Sequence, residues 1–252
     1  MSYLRDRAVI LKAEPFREHD RRLVLFGRSH GLLEAVARGA SRKESKQSGH
    51  LVPFMEVEVM IAKGSAFDKL AVARVVDSHR RIRQRLGALT YTGAFFDLFE
   101  RLQKPGIEDT ELYHLLQEVL FVCDQLSEDP SIERTKLLLS ASTLKLLDRI
   151  GYSPNLTRCA LCHDTLEETE HRLLPGDGSI VHIDCYRSIR ASQPHVEGVS
   201  NKTLALVRFL RTEPLMNVLY LTGTSLDFAD ASNVISYTLK QTPLTREPHG
   251  IQ

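Results

Sequence analysis

Through roughly the first eighty residues the apolar positions fall in short runs separated by turn-forming residues. Arg7-Ala8-Val9-Ile10-Leu11 starts one run and Arg21-Arg22-Leu23-Val24-Leu25-Phe26 is a second. Gly27-Arg28-Ser29-His30-Gly31 is a turn, and Leu32-Leu33-Glu34-Ala35-Val36-Ala37 follows it. Met55-Glu56-Val57-Glu58-Val59-Met60-Ile61 alternates with period two, and Leu70-Ala71-Val72-Ala73-Arg74-Val75-Val76 comes after a Lys63-Gly64-Ser65 turn. Runs of this kind bounded by Gly, Ser and Pro predict strands. Five of them with no full-length helix between suit a small closed barrel, an OB-fold ahead of an SH3-like barrel.

From residue 81 the period lengthens to that of a helix. Ile82, Leu86, Leu89, Thr90, Gly93, Phe96, Leu98, Phe99 and Leu102 place an apolar stripe on one long helix that stops before Pro105-Gly106. A second helix starts after Asp109-Thr110, with Leu112, Leu115, Leu116, Val119, Leu120, Val122 and Cys123 inward. A third opens with Ser131 as N-cap and Glu133 in its first turn, carries Leu137, Leu138, Leu144, Leu147 and Ile150, and ends at Gly151-Tyr152-Ser153-Pro154. Nearer the C-terminus, Ser200-Asn201-Lys202-Thr203 starts a helix with Leu204, Val207, Phe209 and Leu210, stopped by Pro214. Ser225-Leu226-Asp227 starts another with Phe228, Ala231, Ile235 and Leu239. The wide stripes predict helices packed on one another. The expected fold class is therefore α+β and multidomain: a five-stranded barrel over residues 1–80, then a helical bundle over 81–252.

Between the last two groups of helices lies the one cluster of residues with metal-binding spacing. Cys159-Ala160-Leu161-Cys162 is answered by His182-Ile183-Asp184-Cys185, and these hold three of the chain's four cysteines. Two pairs of soft ligands, each pair three residues apart, close a tetrahedral shell around zinc, with His163 and His171 as possible substitutes for His182. Arg172-Leu173-Leu174 and Ile180-Val181 flank the turn-forming Pro175-Gly176-Asp177-Gly178-Ser179, so the segment reads as a hairpin inserted at about 155–190. Four protein ligands leave no position for water, which makes such a site structural. A deaminase would need His-x-Glu ahead of Pro-Cys-x-x-Cys; here His195-Val196-Glu197 follows, and Arg158 precedes Cys159. A redox pair or plain buried cysteines are the remaining alternatives, and Cys123, in an apolar helical run, reads as core.

Composition is that of an ordinary soluble chain, with 42% hydrophobic and 26% charged residues over 252. The net charge of +1 hides an asymmetry: residues 1–80 carry 15 Lys/Arg against 10 Asp/Glu, the remainder 18 against 22. The surplus is densest in Arg38-Gly39-Ala40-Ser41-Arg42-Lys43-Glu44-Ser45-Lys46-Gln47-Ser48-Gly49-His50, which has four basic residues to one acidic. Such a segment is either solvated surface or an arm that tracks a phosphate backbone, with Phe16, Phe26 or Phe54 as stacking platforms or, in the bland reading, as core. No leader pattern opens the chain and no apolar run approaches about 18 residues, so the expectation is a cytoplasmic protein with no membrane partner.

Enzyme signatures are missing. There is no Gly-x-x-x-x-Gly-Lys-Ser/Thr loop, no His-Glu-x-x-His and no Gly-x-Ser-x-Gly. Glu56 and Glu58 share a strand face, expected on the solvent side, and Asp227 and Asp230 are expected to be solvated on a helix.

The order of these features resembles the RecO family of bacterial recombination mediators along nearly the whole chain. The residues that carry the resemblance begin with Arg7-Ala8-Val9-Ile10-Leu11, Asp20 and Leu23, Gly31-Leu32, and Ala37-Arg38-Gly39-Ala40 with Arg42 and Lys43. Leu51-x-Pro53-Phe54, Leu146-Leu147-x-x-Ile150-Gly151-Tyr152-Ser153-Pro154 and the two metal pairs complete it. The resemblance implies an N-terminal OB-fold and a helical domain with a zinc motif, no enzymatic activity, and binding and annealing of single- and double-stranded DNA. It also implies work with RecR to load RecA onto DNA coated by single-stranded-DNA-binding protein (SSB), whose acidic C-terminal tail is bound. Carried onto this chain, Arg38, Arg42, Lys43 and Lys46, with Arg21 and Arg22, are the DNA contacts. Cys159, Cys162, His182 and Cys185 are the zinc ligands. Ser140-Ala141-Ser142-Thr143 stands where the family carries arginine and an aromatic, and Pro243-Leu244-Thr245-Arg246 where it carries Lys-Ser-Arg. Arg134, Lys136, Lys145 and Arg246 are therefore the substitutes for the tail site. The competing reading is a barrel-plus-ribbon accessory factor that acts on RNA or in transcription.

Overall fold

The strand that opens the chain is buried on both faces for four consecutive residues, Ala8 to Leu11, and this explains why its sequence is an unbroken apolar run. It belongs to a computed structural model that describes residues 2–42, 51–126, 132–166, 170–174, 178–189 and 197–241. Two units make up the chain, Met1–Leu126 and Ser127–Gln252.

In the first unit, β1 (Tyr3–Phe16), β2 (Asp20–Gly27), β3 (Gly31–Ala37), β4 (Glu56–Ala62) and β5 (Lys69–Asp77) close into a barrel in the order β1-β2-β3-β5-β4, with β4 returning to β1. All neighbours are antiparallel except β3 and β5, which meet in parallel at Val36 and Lys69. This is the OB-fold. Ala8, Ile10, Leu23, Leu25, Ala35, Ala37, Val57, Val59 and Ile61 fill the interior. A register shift between Ile10 and Lys12 bends β1, so that one 14-residue strand pairs with β4 along its first half and β2 along its second. Gly31 turns β2 into β3 at φ +62, and a Cβ there would lie 1.9 Å from the Ile107 carbonyl oxygen; only glycine fits.

Three helices follow: α1 (Arg80–Gln84), α2 (Leu86–Leu102) and α3 (Thr110–Gln125). The expected single helix is broken. Arg85 is extended at φ −124, ψ 117, although no Gly or Pro marks the place. Its guanidinium donates to the Leu126 carbonyl, the Arg81 N–H donates to Asp124 at 2.9 Å, and Arg83 donates to the Pro53 and Ser78 carbonyls. Tertiary hydrogen bonds thus set the break, and they reset the helical phase. Leu86 is 80% exposed, Leu89 and Thr90 are exposed too, and the buried face of α2 is Ala88, Tyr91, Phe95, Phe96, Leu98, Phe99 and Leu102. Phe99 meets Phe26 of the barrel wall edge-on at 4.9 Å and Phe96 meets Phe54 at 5.1 Å, so Phe26 and Phe54 are core. Lys12 of β1 reaches Asp97 and Glu100 of α2. The compact unit that contains the barrel runs to Leu126 and so includes α1, α2 and α3. Helix α3 is as expected, with Asp109 capping the Leu112 N–H at 2.9 Å and the seven inward residues buried. Cys123 among them has its thiol pushed up to about 12 by burial.

Glu56 overturns the expectation of a solvated Glu56–Glu58 face. Glu58 is exposed, but Glu56 is 5% exposed and accepts from Arg7 Nε at 2.8 Å, Arg7 Nη2 at 3.1 Å, Gln117 Nε2 at 2.8 Å and the Tyr113 hydroxyl. Helix α3 covers this end of the strand, and a buried carboxylate needs those donors. Burial raises the Glu56 carboxyl, but the bonds from Arg7 and Tyr113 outweigh it and hold it below its ordinary range.

In the second unit, α4 (Ile132–Arg149) is the centre. Its Leu137, Leu138, Ser140, Ala141, Ser142, Thr143, Leu144, Leu146 and Leu147 are buried, because α6 (Asn201–Thr212), α7 (Leu215–Val218) and α8 (Ser225–Gln241) all pack on it. The N-cap assigned to Ser131 lies outside the described residues, as does the Glu133 side chain. The helix ends in a Schellman motif, with Gly151 at φ +80, the Tyr152 N–H on the Leu147 carbonyl at 2.7 Å and the Gly151 N–H on that of Asp148 at 3.2 Å. Ser200 caps α6 through the Thr203 N–H, as expected, while Phe209 is only half-buried. Asp227 is not simply solvated: Thr224 and Asp227 form a reciprocal capping box at the start of α8, and Lys202 pairs with Asp227 at 2.7 Å. Those contacts, Lys202 first, hold the Asp227 carboxyl down at about 2, while Asp230 is exposed. Among the described residues no helix is long and apolar enough to cross a membrane.

Replacing Glu56 with alanine strands its donors and is expected to cost the first unit about 2–4 kcal/mol in urea unfolding, and Tyr113→Phe about 1 kcal/mol. The sign with pH follows from a lowered carboxyl: the contribution of Glu56 is present above its ordinary value of 4.5 and fades as the pH falls below it. Wild type and Glu56→Gln should therefore converge in stability on acidification, and a gap that widens would contradict this.

Candidate nucleic-acid interface and metal centre

One end of the barrel gathers the turn between β1 and β2 (17–19), the start of the segment after β3, and the loop between β4 and β5 (63–68). Backbone hydrogen bonds fix the assembly: Ser41 N–H to the His19 carbonyl and Val36 N–H to that of Asp68, both at 2.9 Å. Asp20 accepts from the Gly39 N–H at 2.9 Å and so holds the neck of the basic segment against the β1–β2 turn. Arg38 and Arg42 are both exposed at this neck and form no ion pair among the described residues. Lys43 and Lys46 lie outside the described residues. Arg21 is half-buried and donates to the Leu51 carbonyl at 3.2 Å. Arg22 is exposed but engaged by Glu34 in a two-pronged pair at 2.8 and 3.1 Å, so its charge is matched at short range. Of the expected contacts on described residues, Arg38 and Arg42 present free charge, and Arg21 and Arg22 serve first to hold the barrel.

A groove of about 750 Å³ runs along this end, with Phe16, Arg22, Glu34, Lys63, Phe67 and Asp68 in its walls. Lys63 pairs with Asp68 at 2.7 Å. Phe16 and Phe67 stand edge to face, centroids 5.9 Å apart, and the Arg17 guanidinium lies over both rings at 5.2 and 5.1 Å. Sequence reasoning named Phe16 but missed Arg17 and Phe67, because neither sits in a basic or aromatic run; only the fold brings the two loops together.

The second unit carries the metal-binding geometry. Asn155 Oδ1 accepts from the Thr157 and Arg158 N–H groups and opens a tight hairpin in which Arg158 pairs with Thr165. Within it the Cys159 N–H reaches the Asp164 carbonyl at 2.8 Å and the His163 N–H the Cys159 carbonyl at 3.0 Å, with His163 left-handed at φ 63. The other two ligands arrive differently from expectation. His182 ends β7 (Ile180–His182), and Cys185 lies in the first turn of α5 (Ile183–Ile189), so the second pair straddles a strand-to-helix junction and is not a second knuckle turn. Strand β7 pairs with β6 (His171–Leu173), as the hairpin reading expects, and β8 (Glu197–Val199), which the sequence did not reveal, joins the other edge of β6. The Ala160 N–H donates to the Ile180 carbonyl at 3.0 Å and joins the two halves. Arg208 of α6 donates to the Leu156 carbonyl at 2.8 Å and so ties the hairpin base to the helices.

Cys159 Sγ, Cys162 Sγ, His182 and Cys185 Sγ offer ligand atoms within 4.8 Å of one another, a set that could hold a metal ion. His182, not His163 or His171, completes the set. Its Nδ1 faces the sulfurs, 3.4 Å from Cys162 and 4.0 Å from Cys185, and its Nε2 lies 3.0 Å from the Thr165 carbonyl. A carbonyl can only accept, so Nε2 carries the proton and the Nδ1 lone pair points into the cage. Burial opposes ionisation of Cys159, but backbone N–H groups of Cys162, His182 and Leu161 outweigh it and hold the thiol at about 6. Cys185 is pushed up to about 12, by burial and then by Cys162 and Cys159 beside it. Neighbouring thiols resist full ionisation unless a cation lies among them, and three sulfurs with one imidazole nitrogen are the soft donor set that zinc favours.

Among the described residues, the cations expected to receive an acidic tail are spread along α4. Arg134 donates to the Leu221 carbonyl at 3.2 Å and Lys145 to the Arg211 carbonyl at 3.3 Å, so one fastens the loop before α8 to α4 and the other the last turn of α6. They lie three turns apart on that helix, roughly 16 Å. Lys136 is exposed and Arg246 lies outside the described residues.

The two units define an α+β class of protein, an OB-fold barrel followed in the chain by a helical unit with a Cys3His cluster, and comparison with known proteins narrows it. Residues 1–79 match the family "Recombination protein O N terminal" and residues 83–242 match "Recombination protein O C terminal". Proteins named DNA repair protein RecO are similar over much of the chain. The one from Geobacter metallireducens is 29% identical over 93% of this chain and 93% of its own length. That of Roseiflexus sp. is 30% identical over 84% and 71%, and that of Thermoanaerobacter sp. 28% identical over 64% and 63%. The chain belongs to the RecO family of DNA repair proteins.

Thiol chemistry separates the four cysteines. After chelation, a thiol reagent added to the folded protein should modify the exposed Cys162 first and Cys185 and the buried Cys159 more slowly, and leave Cys123 silent until denaturant is added. Modification of Cys123 in the folded protein would show that the core around α3 opens.

Proposed function

We propose that the protein is a DNA-binding recombination mediator without enzymatic activity of its own. It binds single- and double-stranded DNA, anneals complementary strands and, with RecR, helps to load RecA onto single-stranded DNA coated by SSB, in the cytoplasm. The observation that carries this reading is the barrel end at which Arg17, Arg38 and Arg42 are exposed together, on a chain whose two halves both match the RecO family. Cations there neutralise phosphates irrespective of sequence, and two strands whose charge is neutralised pair faster. Lys43 and Lys46 continue the same basic segment. The tail of SSB, being acidic, is assigned to Arg134, Lys136, Lys145 and Arg246 of the helical half.

Cys159, Cys162, His182 and Cys185 would hold zinc as a four-coordinate structural ion, which joins the hairpin to α5 and leaves no place for a water nucleophile. This gives the ion a role in the fold and none in annealing. Metal analysis of the purified protein should find about one zinc per chain, and Cys162→Ser with His182→Ala should abolish it while annealing persists.

Annealing of complementary oligonucleotides without nucleotide, with and without SSB, tests the main reading. Arg38→Ala with Arg42→Ala should weaken single-strand binding and reduce the slope of log affinity against log salt by about 1.4, roughly 0.7 per lost phosphate contact. Arg22→Ala, already paired to Glu34, should change the slope far less. An unaltered slope in the double variant would place the DNA path elsewhere.

A further inference from the structure

The groove at the end of the barrel has a corner that phosphate binding alone does not require. Phe16 ends β1, Phe67 stands in the β4–β5 loop, and both line the groove half-buried. Aromatic pairs in the core of this unit, such as Phe26 with Phe99, are enclosed by apolar neighbours. Phe16 and Phe67 are instead covered by a cation, the guanidinium of the exposed Arg17, at 5.2 and 5.1 Å from the two ring centres. Arg17 reaches that position with a left-handed backbone, φ +55, a conformation uncommon for a long side chain and one that persists only where surrounding structure imposes it.

A guanidinium on an aromatic face is flat, delocalised and about as thick as a nucleobase. We propose that Phe16, Arg17 and Phe67 form a subsite for one unpaired nucleobase, which stacks on the ring face that Arg17 covers while the guanidinium moves to the adjoining phosphate. This rests on the reading that the barrel binds DNA. The rings stand at 73°, so one wall stacks on the base and the other meets its edge, and the corner admits a single base and not a run. A duplex keeps its bases in the stack and offers only phosphates. The subsite therefore grips a strand while it is unpaired and loses its hold once that base pairs, so that annealing itself weakens the grip on the product.

The test compares three nucleic acids of one length with the full chain, by fluorescence anisotropy over a salt series: a thymidine oligomer, the same oligomer with abasic sites, and a hairpin duplex. Wild type should bind the abasic strand about five- to hundred-fold more weakly than the thymidine strand, with the same salt slope, since only stacking is lost. Phe67→Ala should show a similar loss on the thymidine strand, no further loss on the abasic one and no change on the duplex, and Phe67→Tyr should restore stacking. Equal affinity of wild type for thymidine and abasic strands overturns the proposal, and this arm depends on no variant. So does a Phe67→Ala loss shared by all three ligands. Failure to bind any of them at low salt overturns the DNA-binding reading and the subsite with it.

Discussion

A carboxylate withdrawn from water has to be met by donors, and the first unit is arranged around one such demand. Glu56 begins β4; Arg7 reaches it from β1, Tyr113 and Gln117 from α3. Removing any one partner leaves the others desolvated, which is why groups of this kind hold elements in a single arrangement. The barrel is thus fastened to its helices at the start of β4, while the groove with Phe16 and Phe67 sits by the loop that leaves the other end of the same strand.

The second unit answers the same kind of demand with sulfur. Its hairpin, its three short strands and α5 bury only a small apolar set, Leu156, Leu166, Leu173, Ile180, Val181 and Val199, to which a metal ion would add a crosslink. Cys159 and Cys162 come from a turn, His182 from a strand end and Cys185 from a helix, and Arg208 binds the base of the assembly to α6.

Much of this was legible in the residues. Short apolar runs bounded by turn-forming residues located all five barrel strands, and cysteine spacing located the Cys3His cluster with its histidine. What was not legible depended on partners remote in sequence. Arg85 breaks a helix with no Gly or Pro because its own side chain and that of Asp124 satisfy groups across the fold. Glu56 looks like the solvent side of a strand until α3 covers it. Arg22 counts as a cation in composition, yet Glu34 across the strand pair cancels it. Arg17 and Phe67 carry no local signal at all, since their meeting depends on closure of the barrel.

The bond from His182 Nε2 to the Thr165 carbonyl joins two segments seventeen positions apart, and it uses the ring nitrogen that faces away from the sulfurs. Together with the Ala160–Ile180 backbone bond, it holds the jaws of the cage at working distance by the peptide framework itself. Less chain disorder then remains to be lost when an ion arrives. Occupancy of this site consequently reports the fit of three sulfurs and one nitrogen to the ion, more than the work of gathering them.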